Sequence, residues 1–284
     1  MSAALLEVEN LRVAYPRKGL RHTPVEILHG VSIDIRLGET VGLVGESGSG
    51  KTTIGRAILG LAPVTGGSIR FEGTDITRLG RAERRYRARD IQVVFQDPYG
   101  SLNPALRIED ILAEPLQGQG VRRADARARV GELLTQVGLP EDAAGRLPRE
   151  FSGGQRQRIA IARALALQPK LIVCDEPVSA LDLSTQARVL ELFVEIQERT
   201  GVALLFVSHD LAVVRHVSHR VAVLYHGEVV EFGDGDAVTA DPDHSYTRRL
   251  LMAAPVPNPA EQQARRIERR WSLEAEARAR AEAV

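Results

Sequence analysis

One run of nine residues has the composition of a phosphate-binding loop. It extends from Gly45 to Thr53 and matches the pattern G-x-x-x-x-G-K-[ST]. Glycines let backbone N–H groups approach a phosphate, and the helix predicted to begin near Lys51 adds partial positive charge at its N-terminus. The pattern predicts that Lys51 contacts the β- and γ-phosphates of a nucleotide and that the Thr52 hydroxyl binds Mg²⁺. The predicted phosphate-binding residues are Gly45, Glu46, Ser47, Gly48, Ser49, Gly50, Lys51, Thr52 and Thr53.

Two carboxylates follow a second apolar run. Leu171–Cys174 has the pattern of a buried strand, and Asp175 and Glu176 come directly after it. Paired carboxylates at the end of a buried strand need a cation nearby, which Mg²⁺-ATP would supply. We therefore predict that Asp175 holds the metal or its water and that Glu176 orients and deprotonates the attacking water. The alternative is an acid pair that caps a helix, because Pro177 is a typical first helical residue.

A third motif, Ser-Gly-Gly-Gln, occupies residues 152–155. Ser152 and Gln155 fit a capping box at a helix start. Two glycines in a first turn weaken a helix, so Gly153 and Gly154 are better explained by backbone N–H groups that an anion approaches closely. Because the chain has one phosphate loop, this second anion site indicates the nucleotide of another subunit.

Four short apolar runs are predicted to position these groups. Runs of this kind are typical of parallel strands buried on both faces, and helical patterns between several of them indicate an α/β fold. Each run ends in polar residues, and ligands of open α/β sheets bind beyond the carboxyl ends of the strands, so we expect the endings to converge. The four runs are Thr40–Val44, Ile91–Phe95, Leu171–Cys174 and Val202–Val207, followed by Gly45, Gln96, Asp175-Glu176 and Ser208-His209.

Other patterns predict the surrounding elements. Alternation within 5–15, 31–37 and 69–71 predicts a small N-terminal antiparallel sheet. The pattern of residues 123–137 predicts a helix, and that of residues 221–232 predicts a hairpin. A basic, Pro-containing stretch at 16–24 predicts an exposed loop, and the tail at 260–284, rich in Ala, Arg and Glu, is expected to be helical or disordered.

Composition excludes several classes of function. Lys plus Arg and Asp plus Glu are both 37, so the formal net charge is zero and no long-range attraction to nucleic acid is expected. The single cysteine, Cys174, excludes an intrachain disulfide framework and a four-cysteine metal site. No apolar run approaches the roughly 18 residues of a membrane span, and the N-terminus has no signal-peptide pattern, so we expect a cytosolic, reduced protein.

Together, these motifs resemble the ATP-binding subunits of ABC transporters over about residues 5–235. The resemblance implies a P-loop NTPase fold of the ABC cassette type, with a RecA-like parallel-sheet core. It also implies an N-terminal antiparallel β-subdomain and an α-helical subdomain inserted at about 97–165. Residues 1–240 would form the ATPase domain, and residues 241–284 would form a C-terminal extension.

The resemblance implies further site residues. Two such domains would stack head to tail, so that each ATP lies between the phosphate loop of one subunit and Ser152–Gln155 of the other. Gln96 would bind Mg²⁺ and sense the membrane partner, and His209 would contact the γ-phosphate and the attacking water. Tyr15 would stack on adenine, and Asp182 would couple the two sites. The implied catalytic residues are Glu176, His209, Gln96 and Lys51, and the implied metal ligands are Thr52, Gln96 and Asp175.

Two segments resemble the ATPases of oligopeptide and dipeptide importers. These are Gln96–Pro104 and Asp241–Leu251, although Ser245 stands where a proline commonly precedes Tyr-Thr in that group. This resemblance implies ATP-driven import of peptides or a related solute, at the cytoplasmic face of the cell membrane. The implied partners are two permease subunits, docked near 97–106, a second identical or paralogous ATPase subunit and an extracytoplasmic substrate-binding protein.

Two other functions explain fewer of these motifs. A soluble, non-transport ABC ATPase acting on ribosomes or DNA usually carries two cassettes or a long coiled coil, whereas this chain has one phosphate loop. A P-loop kinase of small molecules would not explain Ser152–Gln155 or His209.

Overall fold

The computed structural model describes residues 4–16 and 24–253, which form two β-sheets and the helices packed on them. The predicted tail at 260–284 and most of the predicted loop at 16–24 lie outside the described residues. The described strands are β1 Ala4–Tyr15, β2 Val25–Arg36, β3 Thr40–Val44, β4 Val64–Phe71, β5 Thr74–Asp75, β6 Ile91–Val94, β7 Leu171–Asp175, β8 Ala203–Ser208, β9 Arg220–Tyr225 and β10 Glu228–Asp234. The described α-helices are α1 Lys51–Ile58, α2 Arg81–Arg87, α3 Ile108–Gly118, α4 Arg123–Ala128, α5 Val130–Gln136, α6 Gly153–Leu165, α7 Leu183–Thr200, α8 Leu211–Val217, α9 Gly235–Ala240 and α10 Ser245–Ala253.

The N-terminal strands form the predicted antiparallel sheet. Its strand order is β2-β1-β4-β5, and Val8 lies opposite Ile33 on one side and Ile69 on the other. The alternating apolar residues of β1 and β2 face a core that also contains residues of β3 and α1. The prediction is confirmed, and the shared core fixes this sheet beside the phosphate loop.

The second sheet contains all four of the predicted buried strands. Its order is β10-β9-β3-β8-β7-β6, with parallel pairing from β9 to β6 and an antiparallel β9–β10 hairpin at one edge. Every residue of β3 and β8 is buried, as expected for strands covered on both faces. The predicted α/β class and the predicted hairpin are therefore confirmed.

The helix predicted over residues 123–137 is interrupted. It consists of α4 and α5, which meet at Arg129. Both parts contact α3, where Arg127 of α4 pairs with Asp110 at 3.0 Å, and α5 also packs on α6. The additional packing of α5 on α6 accounts for a break that helical periodicity does not predict.

The first part of the predicted C-terminal extension packs on the core. Tyr246 of α10 lies in a buried cluster with Val44 of β3 and Val223 of β9. The boundary at residue 240 and the helical subdomain at about 97–165 remain predictions. Within the described ranges, no helix has the length and apolarity needed to cross a membrane.

Candidate nucleotide-binding site

The carboxyl ends of four parallel strands lie side by side. Val44 at the end of β3 is in register with Ser208 of β8, and Val207 of β8 is in register with Asp175 of β7. On the far side of β7, Cys174 is in register with Val94 of β6. The polar residues that follow these strands therefore emerge along one edge of the sheet, as the sequence predicts.

The phosphate loop ends at a helix whose N-terminus is open to an anion. Gly50, the residue before α1, has φ 109°, a conformation that a residue with Cβ adopts only at a cost. The first turn of α1 carries no acidic residue. Lys51 is 4% exposed, and its Nζ donates hydrogen bonds to the backbone oxygens of Gly45 (2.7 Å) and Glu46 (2.8 Å). Burial lowers the pKa of this ammonium group, so an anion brought to Lys51 would compensate for lost hydration.

Thr52 and Asp175 are joined by a hydrogen bond. The Thr52 hydroxyl donates to Asp175 Oδ1 at 2.8 Å, although the residues lie on α1 and β7. Burial raises the pKa of Asp175, which is the perturbation that a cation would offset. A hydroxyl and a carboxylate are hard oxygen donors of the kind Mg²⁺ prefers, so these residues fit that ion. No cluster of three or more His, Cys, Asp or Glu that could hold a metal ion occurs among residues 4–16 and 24–253.

Glu176 is held in a left-handed backbone conformation, with φ 48°. The Glu176 N–H donates to the backbone oxygen of Val207 at 3.1 Å, and the backbone oxygen of Glu176 accepts from the Ser179 hydroxyl at 3.0 Å. Its side chain is 19% exposed, and Oε2 lies 3.4 Å from His209 Nδ1. The next helix, α7, begins only at Leu183, so the alternative in which this acid pair caps a helix is wrong.

A cavity of about 470 Å³ lies in front of the phosphate loop. It brings the loop together with Tyr15, Gln96 and Glu176, which the sequence placed in one site. Asp175 adjoins this group through Thr52, and His209 adjoins it through Glu176. The residues lining the cavity are Tyr15, Ile27, Ser47, Gly48, Gly50, Lys51, Thr52, Thr53, Arg56, Gln96 and Glu176.

The Ser152–Gln155 motif lies elsewhere. The predicted capping box is present, because Ser152 N–H donates to Gln155 Oε1 (3.0 Å) and Gln155 N–H donates to Ser152 Oγ (3.4 Å). The motif borders a second cavity, of about 300 Å³, which shares no lining residue with the first. The lining residues of this cavity are Gly138, Leu139, Ser152, Gly154, Gln155, Arg158, Thr185 and Arg188.

The two glycines of this motif have different environments. A Cβ on Gly153 would be 3.6 Å from the nearest atom, Cδ2 of Leu181, which is ordinary van der Waals contact, so packing does not require a glycine there. A Cβ on Gly154 would lie 2.1 Å from Cγ2 of Thr185. Gly154 is therefore required by the packing of α6 against α7, a reason that the sequence interpretation did not include.

Asp182 caps α7. Its carboxylate accepts hydrogen bonds from Thr185 N–H (3.0 Å), the Thr185 hydroxyl (2.7 Å) and the Ser184 hydroxyl (2.7 Å). The hydroxyl donors are the main reason that its pKa lies well below the ordinary value. Asp182 is thereby fixed as an anion beside Thr185, at the border of the second cavity.

Sequence reasoning missed three residues near these sites. Arg56 lines the first cavity and lies one helical turn after Thr52, so helical spacing could have identified it. Thr185 could have been identified as the residue three positions after an N-cap aspartate. Tyr246 contacts Glu46 of the phosphate loop, and no sequence pattern links positions so far apart.

The parallel sheet, the loop at the start of α1 and the Thr52–Asp175 contact together define a P-loop nucleotide-binding domain. A family model described as "ABC transporter" matches residues 28–179, which is more than half of the chain. The chain belongs to the ABC transporter family.

Named relatives and a solved structure agree with this assignment. The chain is 56% identical over 236 residues to the oligopeptide transport ATP-binding protein OppD of Mycobacterium tuberculosis, a match that covers 83% of this chain and 39% of that protein. It is 49% identical over 265 residues to the probable peptide ABC transporter ATP-binding protein y4tS of Sinorhizobium fredii, with 92% of this chain and 75% of that protein covered. The dimeric ATP-binding cassette MJ0796, in a post-hydrolysis state with ADP and Pi, superimposes with a TM-score of 0.71 at 31% identity, covering 81% and 98% of the two chains.

Proposed function

We propose that this chain is an ATP-hydrolysing subunit that powers the import of oligopeptides, dipeptides or a related solute through separate permease subunits. Two relatives, of which the chain spans 39% and 75%, are named as parts of peptide transport systems. The single observation that carries the proposal is the presence of two separate half-sites on one chain. The first contains the phosphate loop and Glu176, and the second contains Ser152–Gln155.

Each half-site would supply only part of the contacts to a nucleotide. Head-to-tail pairing with a second ATPase subunit, identical or paralogous, would bring the Ser152–Gln155 motif of one chain over the phosphate loop of the other. The dimeric state of MJ0796 supports this arrangement. In the second cavity, Arg158 and Arg188 add positive charge where phosphates would enter.

The residues in and beside the first cavity would have separate roles in ATP binding and hydrolysis. Lys51 and the N–H groups from Gly45 to Thr53 would hold the phosphates of ATP, and Tyr15 would stack on adenine. Thr52, Gln96 and Asp175 would hold Mg²⁺, which neutralises charge on the β- and γ-phosphates when bound. Glu176 would take a proton from the attacking water, and His209, 3.4 Å from that carboxylate, would contact the same water and the γ-phosphate. Asp182 would couple this site to its counterpart across the pair.

The proposed location is the cytoplasmic face of the cell membrane, where the chain would bind two permease subunits. The proposed docking segment, 97–106, follows Gln96, so movement of a permease would reach a residue of the first cavity. Tyr99, in this segment, is exposed. An extracytoplasmic substrate-binding protein would deliver the solute to the permeases.

The decisive experiment reconstitutes the chain with its permeases and measures phosphate release. We expect hydrolysis to increase when a peptide-loaded binding protein is added outside and to stay low with the empty binding protein. The matched control uses Glu176→Gln in the same complex, which should abolish the response. An equal rate of ATP hydrolysis with and without the loaded binding protein would contradict the importer function. Capture of ribosomal or DNA-repair partners in place of permeases would contradict it as well.

A further inference from the structure

The phosphate loop is held from outside by a residue of the last described helix. The backbone N–H of Glu46, the second residue of the loop, donates to the hydroxyl oxygen of Tyr246 on α10 at 2.9 Å. Tyr246 is 2% exposed, so the acceptor side of this part-buried bond is packed inside the protein. It joins the candidate nucleotide site to a segment well beyond residue 179, where the match to the family model ends.

The same Glu46 residue is bonded at its carbonyl group as well. Its oxygen accepts hydrogen bonds from Lys51 Nζ (2.8 Å) and from the N–H of Ser49 (3.2 Å). Glu46 therefore connects Tyr246 to the buried lysine and to the turn inside the loop. A displacement of Glu46 would therefore move one of the backbone oxygens that accept a hydrogen bond from Lys51.

Tyr246 is itself firmly placed. Its ring centroid lies 4.1 Å from that of Tyr225 at the end of β9. The segment before α10 is anchored by the Glu231 carboxylate, which accepts from the N–H groups of Asp243 (2.9 Å) and His244 (3.2 Å). The phenol oxygen is thus held at a fixed point beside the start of the loop.

We propose that Tyr246 is a positioning residue for the phosphate loop, and that segment 241–253 is thereby a working part of the nucleotide site. The inference rests on the proposed function, because it concerns ATP binding by that loop. Tyr246 acts through Glu46 and Lys51 and does not touch the nucleotide. Without its hydroxyl, the Glu46 N–H loses its partner and the loop gains alternative arrangements, which reduces affinity for ATP and leaves the rate of the filled site unchanged.

The test is Tyr246→Phe, which keeps the ring and its packing and removes the acceptor. We expect the Kd of a fluorescent ATP analogue on the full chain, and the KM for ATP, to rise about fivefold, the equivalent of one hydrogen bond. The melting temperature should fall by at most about 2–4 °C, and kcat at saturating ATP should stay unchanged. The matched control is Tyr225→Phe, which removes a hydroxyl from the neighbouring ring and should leave the Kd unaltered.

A second variant tests the route of the effect. Glu231→Gln weakens the anchor of segment 241–253, and we expect a smaller rise in Kd. In the double variant, the Kd should equal that of Tyr246→Phe alone, because both changes act through one hydroxyl. Independent, multiplying effects would contradict this route.

The outcomes separate the two proposals. Native affinity in Tyr246→Phe, with or without a lower melting temperature, overturns the positioning role and leaves the proposed function standing. Failure of the native chain to bind any adenine nucleotide contradicts the proposed function itself. A rise in Kd confined to Tyr246→Phe and Glu231→Gln, with Tyr225→Phe at the native value, supports the positioning role.

Discussion

The Glu176 side chain is the residue on which the proposed hydrolysis depends most directly. Its backbone is in a left-handed conformation that costs of order 1–2 kcal/mol, and the neighbouring contacts to Val207 and Ser179 maintain it. A strained backbone at the end of a strand points this carboxylate into the cavity with Lys51 and Thr52. The strain therefore coincides with the position at which the attacking water would be activated.

Replacing this carboxylate separates binding from turnover. We expect Glu176→Gln to bind ATP normally and to lower the rate of phosphate release by about 10²- to 10⁴-fold, since a general base contributes about that much. Affinity is measured with a fluorescent nucleotide, and turnover with a phosphate assay. Glu191→Gln, which removes an exposed carboxylate of α7, is the control and should hydrolyse ATP at the native rate. Native turnover in Glu176→Gln would show that another group acts as the base.

Sequence patterns reveal the residues whose roles are local and miss those that depend on distant packing. The phosphate loop is contiguous, and Asp175 and Glu176 end an apolar run, so short motifs were enough to identify them. The contact of Thr185 with Gly154 and that of Tyr246 with Glu46 are visible only in three dimensions. In each pair the two residues lie on different elements, and nothing in single-chain periodicity encodes such a pairing.

At the scale of elements, packing contacts as well as helix propensity determine which residues fit at the start of α6. Gly153 and Gly154 look equivalent in sequence, but the second faces Thr185 across the α6–α7 interface. The split of residues 123–137 into α4 and α5 has a similar origin, because α5 packs on α6 as well as on α3. Periodicity predicts that a segment is helical and does not contain the identity of its packing partner.

The different surroundings of the two glycines predict different effects on stability for two alanine substitutions. Gly154→Ala places a Cβ 2.1 Å from Thr185 Cγ2, so α6 or α7 must shift, at a cost of about 1–3 kcal/mol for overpacking. Gly153→Ala has room, and its stability should change by less than about 1 kcal/mol. Thermal melting of the two variants measures the contrast. Equal melting temperatures would contradict the packing role assigned to Gly154.

The two sheets are joined by a charged contact. Arg220 at the start of β9 donates to both carboxylate oxygens of Asp34 on β2 (2.7 and 2.9 Å) and to Glu39 (3.3 Å). The hydrogen bonds from Arg220 hold the pKa of Asp34 below its usual range. Because the folded-state pKa is the lower one, the stabilisation is present above about pH 4 and is lost as the pH falls through the folded-state value.

Asp34→Asn should therefore destabilise the chain in a pH-dependent way. We expect a lower melting temperature at pH 7, reflecting at most about 1 kcal/mol because the carboxylate is partly exposed. The difference in melting temperature between Asp34→Asn and the native chain should become smaller as the pH is lowered below 4. The control is Glu26→Gln, which breaks the more exposed pair with Arg12 at 3.1 Å and should lower the melting temperature less at every pH. If the effect of Asp34→Asn on the melting temperature did not depend on pH, the charged origin of the Arg220–Asp34 contact would be contradicted.

At the scale of the whole molecule, the separation of the two cavities has the widest consequences. The phosphate loop and the Ser152–Gln155 motif line different cavities, so the smallest complete site in the proposal contains two chains. The zero net charge fits this arrangement, since the anionic ligand would be held by local N–H groups and Lys51 and not by an extended field. Association should consequently depend on bound nucleotide.

We expect Glu176→Gln to pair with a second copy of this chain when ATP and Mg²⁺ are present. Blocked hydrolysis would leave the nucleotide in place, and size-exclusion chromatography with light scattering would report doubled mass. Adding Lys51→Ala should restore the single-chain mass, whereas Lys170→Ala, at an exposed lysine paired with Glu72, should not. Persistence of the single-chain mass with ATP bound would show that the second ATPase subunit is a different chain.

The one cysteine of the chain offers a practical consequence. Cys174 is fully buried within the parallel sheet, and burial raises the pKa of its thiol far above the usual range, so it should not react with alkylating reagents. The natural sequence is thus already a suitable background for site-directed labels. In Leu183→Cys, at a position that is 84% exposed beside Asp182, each chain would carry a single reactive thiol. A nitroxide spin label on that thiol, in a chain that also carries Glu176→Gln, would then give the distance between paired chains without removal of the natural cysteine.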